Sequence, residues 1–264
     1  AAVLVTFEGL NLGGSIKTRT AYNMILQAEK DGLIKEDTVI VEPTSGNQGI
    51  GLALVGAVKG YETIIIMPDS VSQERRFLVE HYGAKVILVH DAGNIGDCIN
   101  ECVKTANRMA AENPKVFVPQ QFENEANPTA HRRQTALEIL EQVAGPIDGF
   151  CSGIGTGGTI TGIGEALKEA NPNITIWAVE PENAAILAGG NVGTHIQMGI
   201  GDGVVPKVLN QHIYEDITII SDEEALNTSK DLARLEGLMC GISSGTNVAA
   251  ALKLAKKLGA GKTV

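Results

Sequence analysis

Lys17 is the residue whose placement most suggests chemistry. It follows the pair Gly13-Gly14 in FEGLNLGGSIKTRTA and precedes Ala21, Met24, Ile25 and Ala28, whose spacing is that of one face of an amphipathic helix. An amine in a first helical turn meets the partial positive charge of the helix N-terminus. With partial burial, that field favours the uncharged form that Schiff-base chemistry needs. A lone first-turn lysine is more often a solvated side chain, so its meaning depends on what accompanies it.

Three strand-to-helix turns rich in glycine and hydroxyl groups accompany it: EPTSGNQG at 42–49, SGIGTGGT at 152–159 and GISSGT at 241–246. Such turns present backbone N–H groups to an anion. In the middle one, Gly155, Gly157 and Gly158 leave room for close approach, and Thr156 and Thr159 add hydroxyls, a donor set suited to a terminal phosphate monoester. Gly153, Gly155 and Gly158 also fit GxGxxG, with Glu180 where a ribose-binding acid would fall. A nicotinamide-dependent oxidoreductase therefore stays open, as does a turn that only packs helix on strand.

Asp202 in MGIGDGVVP is an acid in a glycine-rich loop, either a proton acceptor for water or a thiol or a plain turn residue. Cys98, Cys102, Cys151 and Cys240 form no CxxC pair and no Cys/His cluster at ligand spacing. Cys98 and Cys102, one helical turn apart, read as two small apolar residues facing a core, so no metal is expected.

The elements that must hold these residues alternate. TVIVEP, a helix from Gln48, TIIIMP, a helix through Arg75 to His81, KVILV, a helix through Cys102 and KVFVP make a first set. A helix around Thr135 to Val143, DGFCS, a helix after Gly158, ITIWAVEP, and helices after Ser221 and Thr246 make a second. Uniformly apolar strands between helices predict an α/β fold of open, twisted, mostly parallel sheets flanked by helices, in two lobes. The polar stretch PQQFENEANP marks the break between lobes, one spanning 10–124 and the other 1–9 plus 125–264.

Composition narrows the function. A formal net charge of −10 argues against nucleic acid, and no run of 18 apolar residues or basic leader is present, so a cytoplasmic protein off the membrane is expected. The chain begins at Ala1 and stops at Val264 as GKTV starts what reads as another strand, so both ends are expected to be incomplete.

GGSIKTR, EPTSGNQG, QQF, SGIGTGGT, AVEP, GIGDG and GISSG, in this order over nearly the whole chain, resemble the cysteine synthase and cystathionine β-synthase family of fold-type II (tryptophan synthase β-like) pyridoxal-phosphate enzymes. The resemblance implies pyridoxal 5'-phosphate held covalently by Lys17, with its phosphate cradled by Gly155, Thr156, Gly157, Gly158 and Thr159, and its ring hydroxyl met by Asn47. It assigns Thr44, Ser45, Gly46 and Asn47, together with Gln121, to the substrate carboxylate, in an N-terminal mobile lobe opposite a C-terminal cofactor-phosphate lobe. The residue it would pair with the pyridine nitrogen falls beyond Val264. Thr18, Leu12 and Gln48 depart from the family pattern, and Gln48 borders the substrate loop.

The implied chemistry is β-replacement or β-elimination through an aminoacrylate. It would either make cysteine from O-acetylserine and sulfide, or release sulfide from cysteine with Asp202 activating water or a thiol. Substrates would be O-acetylserine, serine or cysteine with sulfide or a thiol. The resemblance also implies a homodimer, with serine acetyltransferase as a candidate partner protein. A non-catalytic relative that binds a peptide in the same place is the remaining alternative.

Overall fold

The computed structural model describes residues 1–93 and 95–264, the side chains of 95 and 96 excepted. Its contacts divide the chain into two compact units, Glu8–Asn127 and Ala1–Phe7 with Pro128–Val264.

The first unit holds a four-stranded parallel sheet, β1 (Val39–Pro43), β2 (Glu62–Pro68), β3 (Lys85–Val89) and β4 (Val116–Phe117), in the order β3-β2-β1-β4. Its helices are α1 (Lys17–Lys30), α2 (Asn47–Lys59), α3 (Gln73–His81) and α4 (Ile95–Glu112). Side chains alternate across each strand, which sorts the core into two layers. Ile40 and Ile65 pack with Ile25, Leu52 and Val79 of α1, α2 and α3, whereas Val41 and Ile66 pack with Cys102 and Ala106 of α4. Each such buried aliphatic side chain contributes about 1.5–3 kcal/mol. The apolar strand runs are explained by this two-sided burial.

The second unit holds a three-stranded parallel sheet, β5 (Gly149–Gly153), β6 (Thr175–Pro181) and β7 (Asp216–Ile220), in that order. A helical passage leads into it: α5 (Ala126–Ala130), a π-helical turn at His131–Thr135, and α6 (Ala136–Gln142). Ile176 and Ala178 pack with Ile160, Ile163 and Leu167 of α7 (Gly158–Ala170). Val179 and Ile220 face α8 (Asp222–Glu236) and α9 (Ile242–Leu258) through Ala225, Ala249 and Ala250. The two termini pair: Ala2 bridges Thr263 in parallel, and Asp148 and Gly149 donate to the Thr263 carbonyl beside β5.

Two readings of the sequence need correction. β7 was not expected; at the sheet edge only Ile220 is buried and Ile219 is 43% exposed, so DITII lacks the uniformly apolar signature of its neighbours. The turn GISSGT does not precede a helix: α9 already starts at Ile242, and a Cβ on Gly245 would overlap the Ala225 carbonyl of α8. That glycine is explained by helix crossing rather than by a ligand.

Candidate active site

In the first unit, Lys17 opens α1 with its backbone N–H donated to Ser15 Oγ at 3.2 Å and its carbonyl receiving Thr20 Oγ1 at 3.1 Å. The carbonyl also lies against α2, where a Cβ on Gly51 would come within 2.8 Å of it. Arg19 and Glu8 form a two-pronged ion pair, 2.7 and 3.0 Å, that fastens the approach to this turn. The backbone that carries the amine is therefore held from three sides.

The segment Thr44–Asn47 leads directly from β1 into the start of α2. Thr44 donates its N–H to Ile66 of β2 at 2.9 Å, and its hydroxyl receives the N–H of Gly46 at 3.2 Å. Arg75 of α3 reaches across to the Ser45 carbonyl at 3.2 Å. The N-cap of α2 is Gly46, which brings no side chain to the helix start, and such an N-terminus suits a carboxylate. Gln48 is buried at 2% exposure and turned toward Thr20 of α1, whose hydroxyl lies 2.9 Å from its Oε1, while its Nε2 meets no hydrogen-bond partner among the described residues.

Gln121 is buried beyond β4. Its N–H and that of Gln120 are donated to the two oxygens of Glu42, at 3.1 and 3.0 Å, and its carbonyl receives Asn127 Nδ2 at 2.9 Å. Burial pushes the Glu42 carboxyl up to about 7, against the opposing effect of those two backbone donors.

In the second unit, β5 runs into the turn at Gly155–Thr159 and α7 begins at Gly158. Gly157 has φ of +78°, a conformation that disfavours any residue with a Cβ, and a Cβ there would come within 2.7 Å of Leu209. A Cβ on Gly155 would stand 2.5 Å from the Gly199 carbonyl and 3.4 Å from Asp202 Oδ2. The exposed Asp202 carboxylate therefore lies beside this turn. The Thr156 hydroxyl receives the N–H of Gly158 at 3.4 Å, and Thr159 Oγ1 is 3.5 Å from Nε2 of the buried His131, whose Nδ1 pairs with Thr135. A helix N-terminus, glycines without room for side chains and two hydroxyls form a cradle for a small dianion, and these residues fit a phosphate monoester.

The dinucleotide alternative fares worse. Both carboxylate oxygens of Glu180 are taken by its own chain, by the N–H groups of Leu187 and Ala188 at 3.0 and 3.1 Å, and the residue is 2% exposed. It is not placed to bind a ribose. Cys98 and Cys102 are buried in α4, where burial raises both thiols, Cys102 to about 12, so neither offers a thiolate. Among the described residues no group of three or more His, Cys, Asp or Glu side chains could hold a metal ion, and no helix is long and apolar enough to cross a membrane.

The sequence did not single out Glu42, Arg75 or His131. Glu42 had a visible signal, a charged residue inside the apolar strand VIVEP. The other two are legible only once the helices are in place.

A lysine opens α1 in the first unit, and a glycine- and hydroxyl-rich turn that fits a phosphate monoester opens α7 in the second. The chain belongs to the pyridoxal-phosphate-dependent enzyme family, whose model matches residues 1–264. It is 45% identical to a probable cysteine synthase of Bacillus subtilis over its full length and 85% of that protein. A crystal structure of a hydrogen sulfide-producing enzyme from Fusobacterium nucleatum matches with a TM-score of 0.93 at 41% identity, over 99% of this chain and 85% of that one. Cysteine synthase from Entamoeba histolytica matches with a TM-score of 0.94 at 40% identity, over 99% of this chain and 76% of that one. These matches favour neither the oxidoreductase nor the peptide-binding reading.

Proposed function

We propose that this protein is a cysteine synthase-like enzyme that exchanges the β-substituent of serine- or cysteine-type amino acids, and that it releases sulfide from cysteine as well as incorporating it. The observation that carries the second part is the Asp202 carboxylate beside Gly155 of the phosphate turn. Pyridoxal phosphate, when bound, supplies the electron sink that makes the α-proton acidic and the β-substituent able to leave.

The chain's own residues do the rest. Lys17 would hold the cofactor, and its Nζ would take the α-proton and later return it. Gly155, Thr156, Gly157, Gly158 and Thr159 would hold the cofactor's phosphate, and Asn47 would meet its ring hydroxyl. The N-terminus of α2 at Thr44–Asn47, with Gln121, binds the substrate carboxylate and so fixes the α-carbon against the base. Asp202 takes a proton from water or a thiol as it adds at the β-carbon, so that cysteine and water give serine and hydrogen sulfide. The reading extends to a cytoplasmic homodimer, with serine acetyltransferase as the candidate protein partner. Sedimentation of the holoenzyme tests the dimer.

The test is to supply cysteine alone and follow sulfide and serine together. Wild type is expected to form both in equal amounts, and Asp202→Asn to lower the rate by roughly 10-fold or more, the low end of what a positioned proton acceptor contributes. No sulfide from wild type would sink the lyase reading, and an unchanged rate in the variant would reduce Asp202 to a loop residue.

The phosphate turn needs a substitution that spares packing. Valine at Gly157 would meet Leu209 and a left-handed φ, so folding and binding would fail together. Thr159→Val keeps the volume and removes one hydroxyl. It is expected to weaken cofactor retention about 10-fold, as lost hydrogen bonds to charged groups do, with little change in melting temperature. Titrating apo-protein with pyridoxal phosphate reads it, and unchanged affinity would mean that the hydroxyl does not meet the phosphate.

A further inference from the structure

We infer that Glu42 is the positioning residue of the substrate-carboxylate site: it acts by holding the Gln120-Gln121 backbone so that the Gln121 side chain is set for the ligand. The inference rests on the reading of Gln121 as a substrate contact.

The pairing of β1 with β4 ends at Ile40 and Phe117, and Pro119 beyond it has no N–H to give. At that point the ladder would normally release the chain. Glu42 instead projects from the end of β1 and supplies one acceptor to each of two successive N–H groups, those of Gln120 and Gln121. Gln120 has a φ of 58°, the only positive value at a non-glycine residue among the described residues. A left-handed backbone is disfavoured for a residue with a side chain, and two hydrogen bonds to a buried carboxylate offset that cost.

The strain has a geometric result. The left-handed turn aims the next residue inward, so that Gln121 is 7% exposed while Gln120 faces solvent. Asn127 Nδ2 on the Gln121 carbonyl and Asn124 Nδ2 on the Pro119 carbonyl, 2.9 and 2.8 Å, close the other side of the turn. Gln121 is therefore gripped at both ends of its own backbone. Glu42 is 1% exposed and has no route to a ligand of its own. Its carboxylate is burdened by burial, which makes a purely packing role a poor account of why an acid stands there.

The prediction is made for Glu42→Gln, which keeps the volume but turns an NH2 group toward one of the two N–H donors. L-Alanine, which carries no β-leaving group, is titrated into the holoenzyme and followed by the cofactor's absorbance. Its dissociation constant is expected to rise by roughly 10-fold or more, and the KM for the amino acid likewise. The kcat and the KM for sulfide should stay within about 3-fold, a split that general destabilisation does not produce. Gln121→Ala should weaken L-alanine similarly, and the double variant should be no worse than the worse single, because both changes act on one group.

If Glu42→Gln fails to fold, adding Gln120→Gly relieves the left-handed cost and supplies a stable background in which the affinity loss should persist. Gln121→Ala with unchanged affinity removes the substrate-contact reading and this inference with it. Weakening by Gln121→Ala but not by Glu42→Gln overturns the inference alone, as do additive losses in the double variant.

Discussion

Replacing Lys17 with alanine is expected to lower turnover by roughly 10³-fold or more, through loss of the covalent anchor and α-carbon base proposed for it. The cofactor should still bind, because Gly155–Thr159 lie in the other compact unit and do not depend on the amine. α1 should still form: Lys17 is its first residue, and the bonds that fasten its start, from Lys17 N to Ser15 and from Thr20 to the Lys17 carbonyl, use backbone atoms that alanine retains. The readout is direct. Borohydride should fix the cofactor on the Lys17 peptide of wild type, seen as added mass, and should fix none on the variant, whose yellow cofactor washes out on dialysis. A small primary amine added to the variant should restore a fraction of the activity. Normal turnover in the variant would remove Lys17 from the mechanism.

Much of the frame was legible because parallel strands buried on both faces cannot hide their composition. VIVEP and TIIIMP place Ile40, Val41, Ile65 and Ile66 in two cores at once, and no polar alternation interrupts them. DITII escaped notice because an edge strand buries one face and leaves Ile219 in solvent. Glu180 read as a nucleotide-binding acid because its position at the end of β6 is visible in sequence, whereas the two backbone N–H groups that consume it come from Leu187 and Ala188 of a loop with no pattern. The same limit applies to the candidate site. Lys17, the Thr44–Asn47 turn and the Gly155–Thr159 turn lie at helix starts, where residue type and spacing carry meaning in one dimension. What holds them in place is lateral: Arg75 on the Ser45 carbonyl, Glu42 on Gln120 and Gln121, and His131 behind Thr159 each join segments whose separation the sequence does not encode.

The largest structural effect is expected from one methyl group at Gly162. This glycine lies in α7, and a Cβ there would overlap the Pro128 carbonyl and come within 2.8 Å of both the Arg132 N–H nitrogen and His131 Cβ. Two of those neighbours are backbone atoms of the α5 and π-helical passage, which cannot rotate aside as a side-chain end can. Relief requires α7 or the π-helical turn to move, and either movement displaces the N-terminus of α7 that presents Gly155–Thr159, or the His131 contact behind Thr159. Gly162→Ala is therefore expected to cost about 2–3 kcal/mol, the range for overpacking a tight core, and to lower the melting temperature by roughly 5–10 °C. Gly164→Ala is the matched comparison on the same helix: its methyl would meet only side-chain carbons of Ile213 and Ile176, which can give by a rotamer adjustment. Cofactor affinity should fall in Gly162→Ala and hold in Gly164→Ala. Equal losses in the two variants, in melting temperature and in pyridoxal phosphate binding, would show that the crossing at Gly162 does not set the turn at Gly155–Thr159.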